Sequence, residues 1–251
     1  MNPTSAFLSV DLQQKLYPNG VCAIQGLQFQ VAKSEFVAIV APSGAGKSTL
    51  LNILAGLDTD YQGVITYPEK TSLSFMFQEP RLMPWLTVEE NIHLILNAPA
   101  YQADTERFAR MDGLLTQLGL NDFRHSYPSQ LSGGMKRRAA LVRAFVTHPD
   151  LLFMDEPFQS LDEPTAQGLR QLLLTLWTQH KPTVLFVTHS LNEALLLADR
   201  VLFLSARPAC VIWDYRVPLD RPRPTEAHHL QQLHNTLLLQ HPELLSGVLR
   251  T

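Results

Sequence analysis

Apolar runs only four to six residues long recur along this chain, and the stretches between them carry helical spacing. FVAIVA (Phe36–Ala41), LLFM (Leu151–Met154) and VLFV (Val184–Val187) show no polar alternation, which is the pattern of strands buried on both faces. A glycine-containing loop follows the first run, and Lys47–Ala55 reads as a helix. Phe7–Leu12 and Gln28–Val31 alternate polar and apolar positions, which predicts an antiparallel edge sheet near the N-terminus. Between Pro80 and Phe145 strand signals fade, and Val88–Leu96, Thr105–Leu118 and Gly133–Val146 take helical spacing. The expected fold is α/β: a mainly parallel sheet flanked by helices, with an N-terminal antiparallel β-subdomain. It forms a single domain over 1–251, with an α-helical subdomain inserted at about 80–146 and a C-terminal tail, 215–251. Leu230, Leu233, Leu237 and Leu238 give that tail one helix.

Composition narrows the partners. With 17% charged residues, a net charge of −3 and no Lys/Arg-rich run, nothing favours nucleic acid. No apolar run approaches the roughly 18 residues of a spanning helix, and MNPTSAFLSVDLQQ lacks the layout of a signal peptide. Cys22 and Cys210 have no CxxC or His-paired spacing and read as free thiols. His228, His229, His234 and His241 lack a carboxylate or cysteine to complete a metal set, so a solvated helix face is expected.

APSGAGKST (Ala41–Thr49) carries the first chemistry. It fits G-x-x-x-x-G-K-[ST] except that Ala41 holds the first glycine position. The pattern follows a strand and opens a helix, so the small residues Ala41, Pro42, Ser43, Gly44, Ala45 and Gly46 let backbone N–H groups close around phosphate oxygens. The helix N-terminus adds partial positive charge. Lys47 reaches the β- and γ-phosphates, Ser48 offers a hydroxyl to Mg²⁺, and Thr49 completes the motif. Alanine at 41 is tolerated if its φ is negative.

LLFMDE (Leu151–Glu156) ends a buried strand in two acids. Asp155 can hold Mg²⁺, directly or through water, and Glu156 can accept a proton from the attacking water. These motifs alone describe a nucleotide hydrolase.

LSGGM (Leu131–Met135) is narrower. With it, nearly the whole chain resembles the ABC transporter ATPases. By that resemblance Ser132, Gly133 and Gly134 bind the γ-phosphate of an ATP held by a second copy, giving a head-to-tail dimer around two ATP. Gln78 resembles the glutamine that contacts Mg²⁺ and water, and Ser160-Leu161-Asp162 the loop crossing the dimer interface. His189 resembles the switch histidine on the γ-phosphate, and Tyr17 the aromatic residue against adenine. Ser34, Gln159, Ser190 and Lys136-Arg137 depart from the usual family residues.

QEPRLMPWLTVEENI (Gln78–Ile92) and VPLDRPRP (Val217–Pro224) are similar to the nitrate, sulfonate and taurine importer ATPases, which also serve thiamine pyrimidine precursors. That likeness implies a peripheral protein on the cytoplasmic face of the inner membrane. It also implies separate integral membrane permease subunits and, indirectly, a periplasmic or lipid-anchored solute-binding protein. The surface around Gln78–Trp85 is then a groove for a permease helix, with Trp85 either lining it or sitting in the core. An exporter ATPase would share these motifs; a soluble non-transport ABC ATPase would usually carry a second cassette or a coiled-coil insertion.

Overall fold

The computed structural model describes residues 6–221, 223 and 228–248. From the N-terminus the elements are β1 (Leu8–Leu16), β2 (Cys22–Val31), β3 (Phe36–Val40), α1 (Lys47–Leu54) and β4 (Gln62–Thr66). There follow β5 (Leu73–Met76), α2 (Val88–Leu96), α3 (Arg107–Gln117), α4 (Gly133–Phe145) and β6 (Leu151–Asp155). The chain continues through α5 (Glu163–His180), β7 (Thr183–Thr188), α6 (Leu191–Leu197), β8 (Arg200–Leu204), β9 (Val211–Arg216) and α7 (His228–Gln240). Two compact units result: one of residues up to Thr71, Phe153–Glu156 and from Thr183 onward, the other of Ser72–Leu152 and Pro157–Pro182.

In the first unit, β1 is the central strand of an antiparallel sheet with order β2-β1-β4. Leu8, Val10 and Leu12 are buried while Asp11 and Gln13 are exposed, as a half-buried sheet requires. The strands run longer than the alternation predicted. Pairing with β2 carries β1 on through Gln14 and Lys15, pairing with β4 reaches Gln14, and the register to β4 shifts between Leu12 and Gln14. The shift turns Lys15 inward, where its ammonium meets the Asp58 carboxylate at 2.9 Å and the Asp60 carbonyl at 2.6 Å. β4 is almost wholly exposed and gave no apolar signal.

The core sheet of this unit has the order β6-β7-β3-β8-β9. β3 pairs in parallel with β7 and β8, and β9 closes the edge antiparallel to β8. Every residue of β3 and β7 is buried, which explains their unbroken apolar runs. The Phe36 and Phe186 rings meet edge to face at 5.6 Å. Ser34, in the turn before β3, adopts φ 59 and donates its N–H to Thr183 Oγ1 at 2.9 Å. A left-handed residue there accounts for the glycine usual at that position. In α7, Leu230 and Leu237 are buried, whereas His228 and His229 are exposed. Among the described residues no His, Cys, Asp or Glu cluster suits a metal, and no helix is long and apolar enough to cross a membrane. Met1–Ser5, and Pro222 and Pro224 of the Val217–Pro224 stretch, lie outside the described residues.

In the second unit, α4 packs against α2, α3 and α5. This unit starts at Ser72 and takes in α5, which packs against α4. Sequence chemistry sets the helix starts. Thr87 and Glu90 form a reciprocal capping box on α2, and Asp162 caps α5 through the Thr165 N–H. Buried Asn91 accepts from the Met83 N–H at 2.7 Å and donates to the Leu86 carbonyl at 3.0 Å. That one amide fixes the irregular segment from Met83 to Thr87.

His148 and His180 meet ring to ring at 4.7 Å beside Phe145. Burial, ahead of the neighbouring cations, holds both below the ordinary histidine value near 6.5. Because the folded values are depressed, this pair's contribution is complete above 6.5 and is lost as pH falls through the lower folded values. The urea midpoint of the parent is expected to drop more between pH 7.5 and 5.5 than that of His180→Gln.

Candidate functional site

The phosphate loop lies within the first unit, between β3 and α1. Gly44 and Gly46 adopt φ 75 and 104, turning the chain from strand end to helix start. A Cβ on Gly46 would lie 3.1 Å from the Ala23 carbonyl oxygen, so this turn favours glycine for space as well as for φ. The described non-glycine residues with positive φ are Ser34, Arg81, His148, Glu156, Ser160 and Lys181, and Ala41 is not among them. Alanine therefore fits its position.

α1 begins with no side-chain cap and no acid in its first turn. Its first N–H groups face the loop with the helix's positive pole, an arrangement suited to an anion. Lys47 is buried, and its ammonium donates to the Ala41 and Pro42 carbonyls at 3.1 Å each. Ser43, Gly44 and Ser48 are exposed, and Ala45 is buried under the loop. The Tyr17 hydroxyl shares a 2.9 Å hydrogen bond with Thr49 Oγ1, which brings this ring to the start of α1.

The acids at the end of β6 belong to the same unit. Asp155 is buried at 7% exposure. Glu156 takes φ 42 and is anchored by its N–H to the Val187 carbonyl at 3.0 Å. Its carboxylate stands 3.5 Å from the Lys47 ammonium and 3.0 Å from His189 Nδ1. The structure thus brings Lys47, Glu156 and His189 together. Ser190 replaces an aspartate, but its hydroxyl accepts from the Glu193 N–H and caps α6, so the start of the helix keeps a capping side chain.

The second unit carries the other predicted groups. Ser132 caps α4 by accepting from the Met135 N–H at 3.2 Å, and Ser132 and Gly133 are exposed at that helix start. A Cβ on Gly134 would meet Thr165 Cγ2 at 2.5 Å, so close helix packing also favours this glycine. Gln78 is exposed, and its amide donates to the side-chain oxygen of Gln159. Buried Arg137 donates to the Phe77 carbonyl at 3.3 Å and to the Gln159 carbonyl at 3.2 Å. Two of the departures from the family pattern are therefore in contact, flanking Gln78. The sequence marked both as unusual but carried no sign that they meet.

Trp85 is 69% exposed, so a core position for it is ruled out. In the same unit, a recess of about 360 Å³ is lined by Phe75, Phe77, Arg81, Met83, Leu94 and Tyr101 among others. Trp85 is not among its lining residues. Cys22 and Cys210 are both half-buried free thiols.

This site defines a P-loop nucleotide-binding protein. The ABC transporter family matches residues 24–159, and the chain belongs to that family. It is 40% identical over 232 residues to the aliphatic sulfonates import ATP-binding protein SsuB of Bacillus anthracis, covering 88% of each chain. A protein of the same description from Xanthomonas axonopodis pv. citri (strain 306) is 40% identical over 223 residues, covering 86% of this chain and 88% of that one. Among solved structures, a dimeric ATP-binding cassette in a post-hydrolysis state bound to ADP and Pi superposes with TM-score 0.71 at 29% identity. That match covers 85% of this chain and all of the cassette. The cbiO1 protein of Clostridium perfringens, part of an ABC transporter complex, shares the fold, with TM-score 0.75 over 96% of this chain and 97% of its own at 23% identity.

Because Ala41 already has the backbone conformation its position needs, Ala41→Gly should bind ATP within about threefold of the parent. Equilibrium titration with a fluorescent ATP analogue measures this.

Proposed function

We propose that this chain is the ATP-hydrolysing subunit of a bacterial ABC importer that drives uptake through separate membrane permease subunits. The observation that carries the hydrolytic part is the Glu156 carboxylate, held between Lys47 and His189 at the mouth of an uncapped helix. The import direction is supported by relatives named as sulfonate import ATP-binding proteins, 40% identical over most of the chain. A small sulfonate or a related nitrate-type or taurine-type solute is the cargo class that fits.

In this reading Lys47 exchanges its two carbonyl partners for β- and γ-phosphate oxygens, while the N–H groups of Gly44 and of Gly46–Thr49 close around the phosphates. Tyr17 gives its ring to adenine. Ser48 and Asp155 would hold Mg²⁺, which would supply charge neutralisation at the phosphoryl group. Glu156 accepts a proton from the attacking water. His189 keeps that carboxylate oriented and reaches the γ-phosphate.

The chain has one phosphate loop and one LSGGM segment. Ser132, Gly133 and Gly134 then complete the site of a second copy, in a two-fold dimer enclosing two ATP. That a 29%-identical cassette is dimeric with ADP and Pi supports this assembly. The dimer works at the cytoplasmic face of the inner membrane. The apolar recess around Phe77 and Met83, with exposed Trp85 near it in sequence, receives a permease segment, and a solute-binding protein delivers cargo on the other side.

Glu156→Gln keeps the shape of the side chain and removes its basicity. It should bind ATP normally, lose at least about a hundredfold in turnover, and elute as a dimer in MgATP. Parental turnover would take Glu156 out of the base role, and a monomer at saturating MgATP would sink the sandwich.

A further inference from the structure

The turn between β8 and β9 carries a cation that none of the motifs above uses. Arg207 donates from Nε and Nη2 to the Gly44 carbonyl oxygen, at 3.1 and 2.7 Å. Gly44 is the apex of the phosphate loop, in the left-handed region at φ 75. The other end of the same peptide unit is also engaged, since the Ala45 N–H donates to the Pro42 carbonyl at 3.2 Å. The Gly44–Ala45 peptide plane is thus gripped from outside the loop by Arg207 and from inside by Pro42.

The base from which Arg207 reaches is itself fixed. Ser205 Oγ donates to the Pro208 carbonyl at 2.8 Å and accepts from the Cys210 N–H at 2.9 Å. The Ala209 N–H donates to the Ala23 carbonyl at 2.9 Å, and the Gln25 N–H donates to the Ala209 carbonyl at 3.1 Å. On the far side Gly247 comes so close that a Cβ there would lie 2.3 Å from the Ala206 nitrogen. An arginine on such a turn has little backbone freedom left to lose.

A loop that binds phosphate through backbone N–H groups gains affinity when its peptide planes are set before the ligand arrives. Glycine at the apex gives the required φ but leaves that plane the least restrained by its own side chains. We propose that Arg207 is a positioning residue for ATP binding: it presets the Gly44–Ala45 peptide from outside the loop. The charge-assisted pair acts on ground-state binding, because it touches the loop and not the reacting water. This rests on reading Ala41–Thr49 as the phosphate-binding loop.

The test uses the full chain with Arg207→Ala, Arg207→Lys and Lys47→Ala, measuring Kd for MgATP, KM, kcat and nucleotide-free Tm. Arg207→Ala is expected to raise Kd and KM about tenfold with kcat at saturation within about twofold, and Arg207→Lys to recover part of the loss. A lowered Tm with unchanged Kd and KM would mean a merely structural turn residue and overturns the proposal. If Arg207→Ala fails to fold, Arg207→Gln carries the same decision: raised KM supports the proposal and parental KM overturns it. Lys47→Ala separates the two levels. If it binds MgATP like the parent, the loop reading itself falls and the proposal with it. If it loses binding while the Arg207 variants do not, only the proposal falls.

Discussion

A phosphate-binding loop must leave its own backbone donors unsatisfied without collapsing, and the first unit is arranged around that constraint. The N–H groups at the start of α1 have no side-chain cap, so the loop cannot be held through them. Its carbonyls are held instead. Lys47 takes those of Ala41 and Pro42, and Arg207 takes that of Gly44. Cations on the carbonyl side leave the amide side open to an anion. The fully buried β3 behind the loop, paired on both sides by β7 and β8, gives it a base.

The acids complete this arrangement from the adjoining strand. Glu156 occupies a left-handed conformation, which costs a non-glycine residue about 1 kcal/mol or more. The hydrogen bond from its N–H to Val187 and the ionic contacts of its carboxylate offset that cost. The strained residue is also the one proposed to accept the proton of the attacking water. Lys47 serves two ends of the site at once, carbonyls on one side and Glu156 on the other, so any shift of its ammonium would also change the charge beside the Glu156 carboxylate.

The second unit solves a different problem, which is to present exposed polar groups on fixed helix ends. Ser132 at α4 and Asp162 at α5 each use a side-chain cap to define the first turn. Gly134 lets α4 approach Thr165, and Arg137 ties the carbonyls of Phe77 and Gln159 on either side of the Gln78 amide. Gln78 is consequently exposed yet held by its neighbour Gln159.

The sequence by itself determined the buried strands, the phosphate loop, the two acids and the helix carrying LSGGM. Each of these is local: an unbroken apolar run, a glycine spacing or a cap is written in consecutive residues. It did not determine β4, whose residues face solvent and exist as a strand only because β1 pairs with them. It left Trp85 open between core and surface, which burial alone could decide. Nor did it show that α5 belongs with α4, or that Gln159 meets Gln78 some eighty residues away. Arg207 was invisible for the same reason. Its partner Gly44 lies 163 positions earlier in the chain. Only the packing of the β8–β9 turn against β2 brings that guanidinium to the loop. Spacing along a chain encodes the groups that one strand or helix presents, whereas contacts between distant backbone and side-chain atoms are set by tertiary structure.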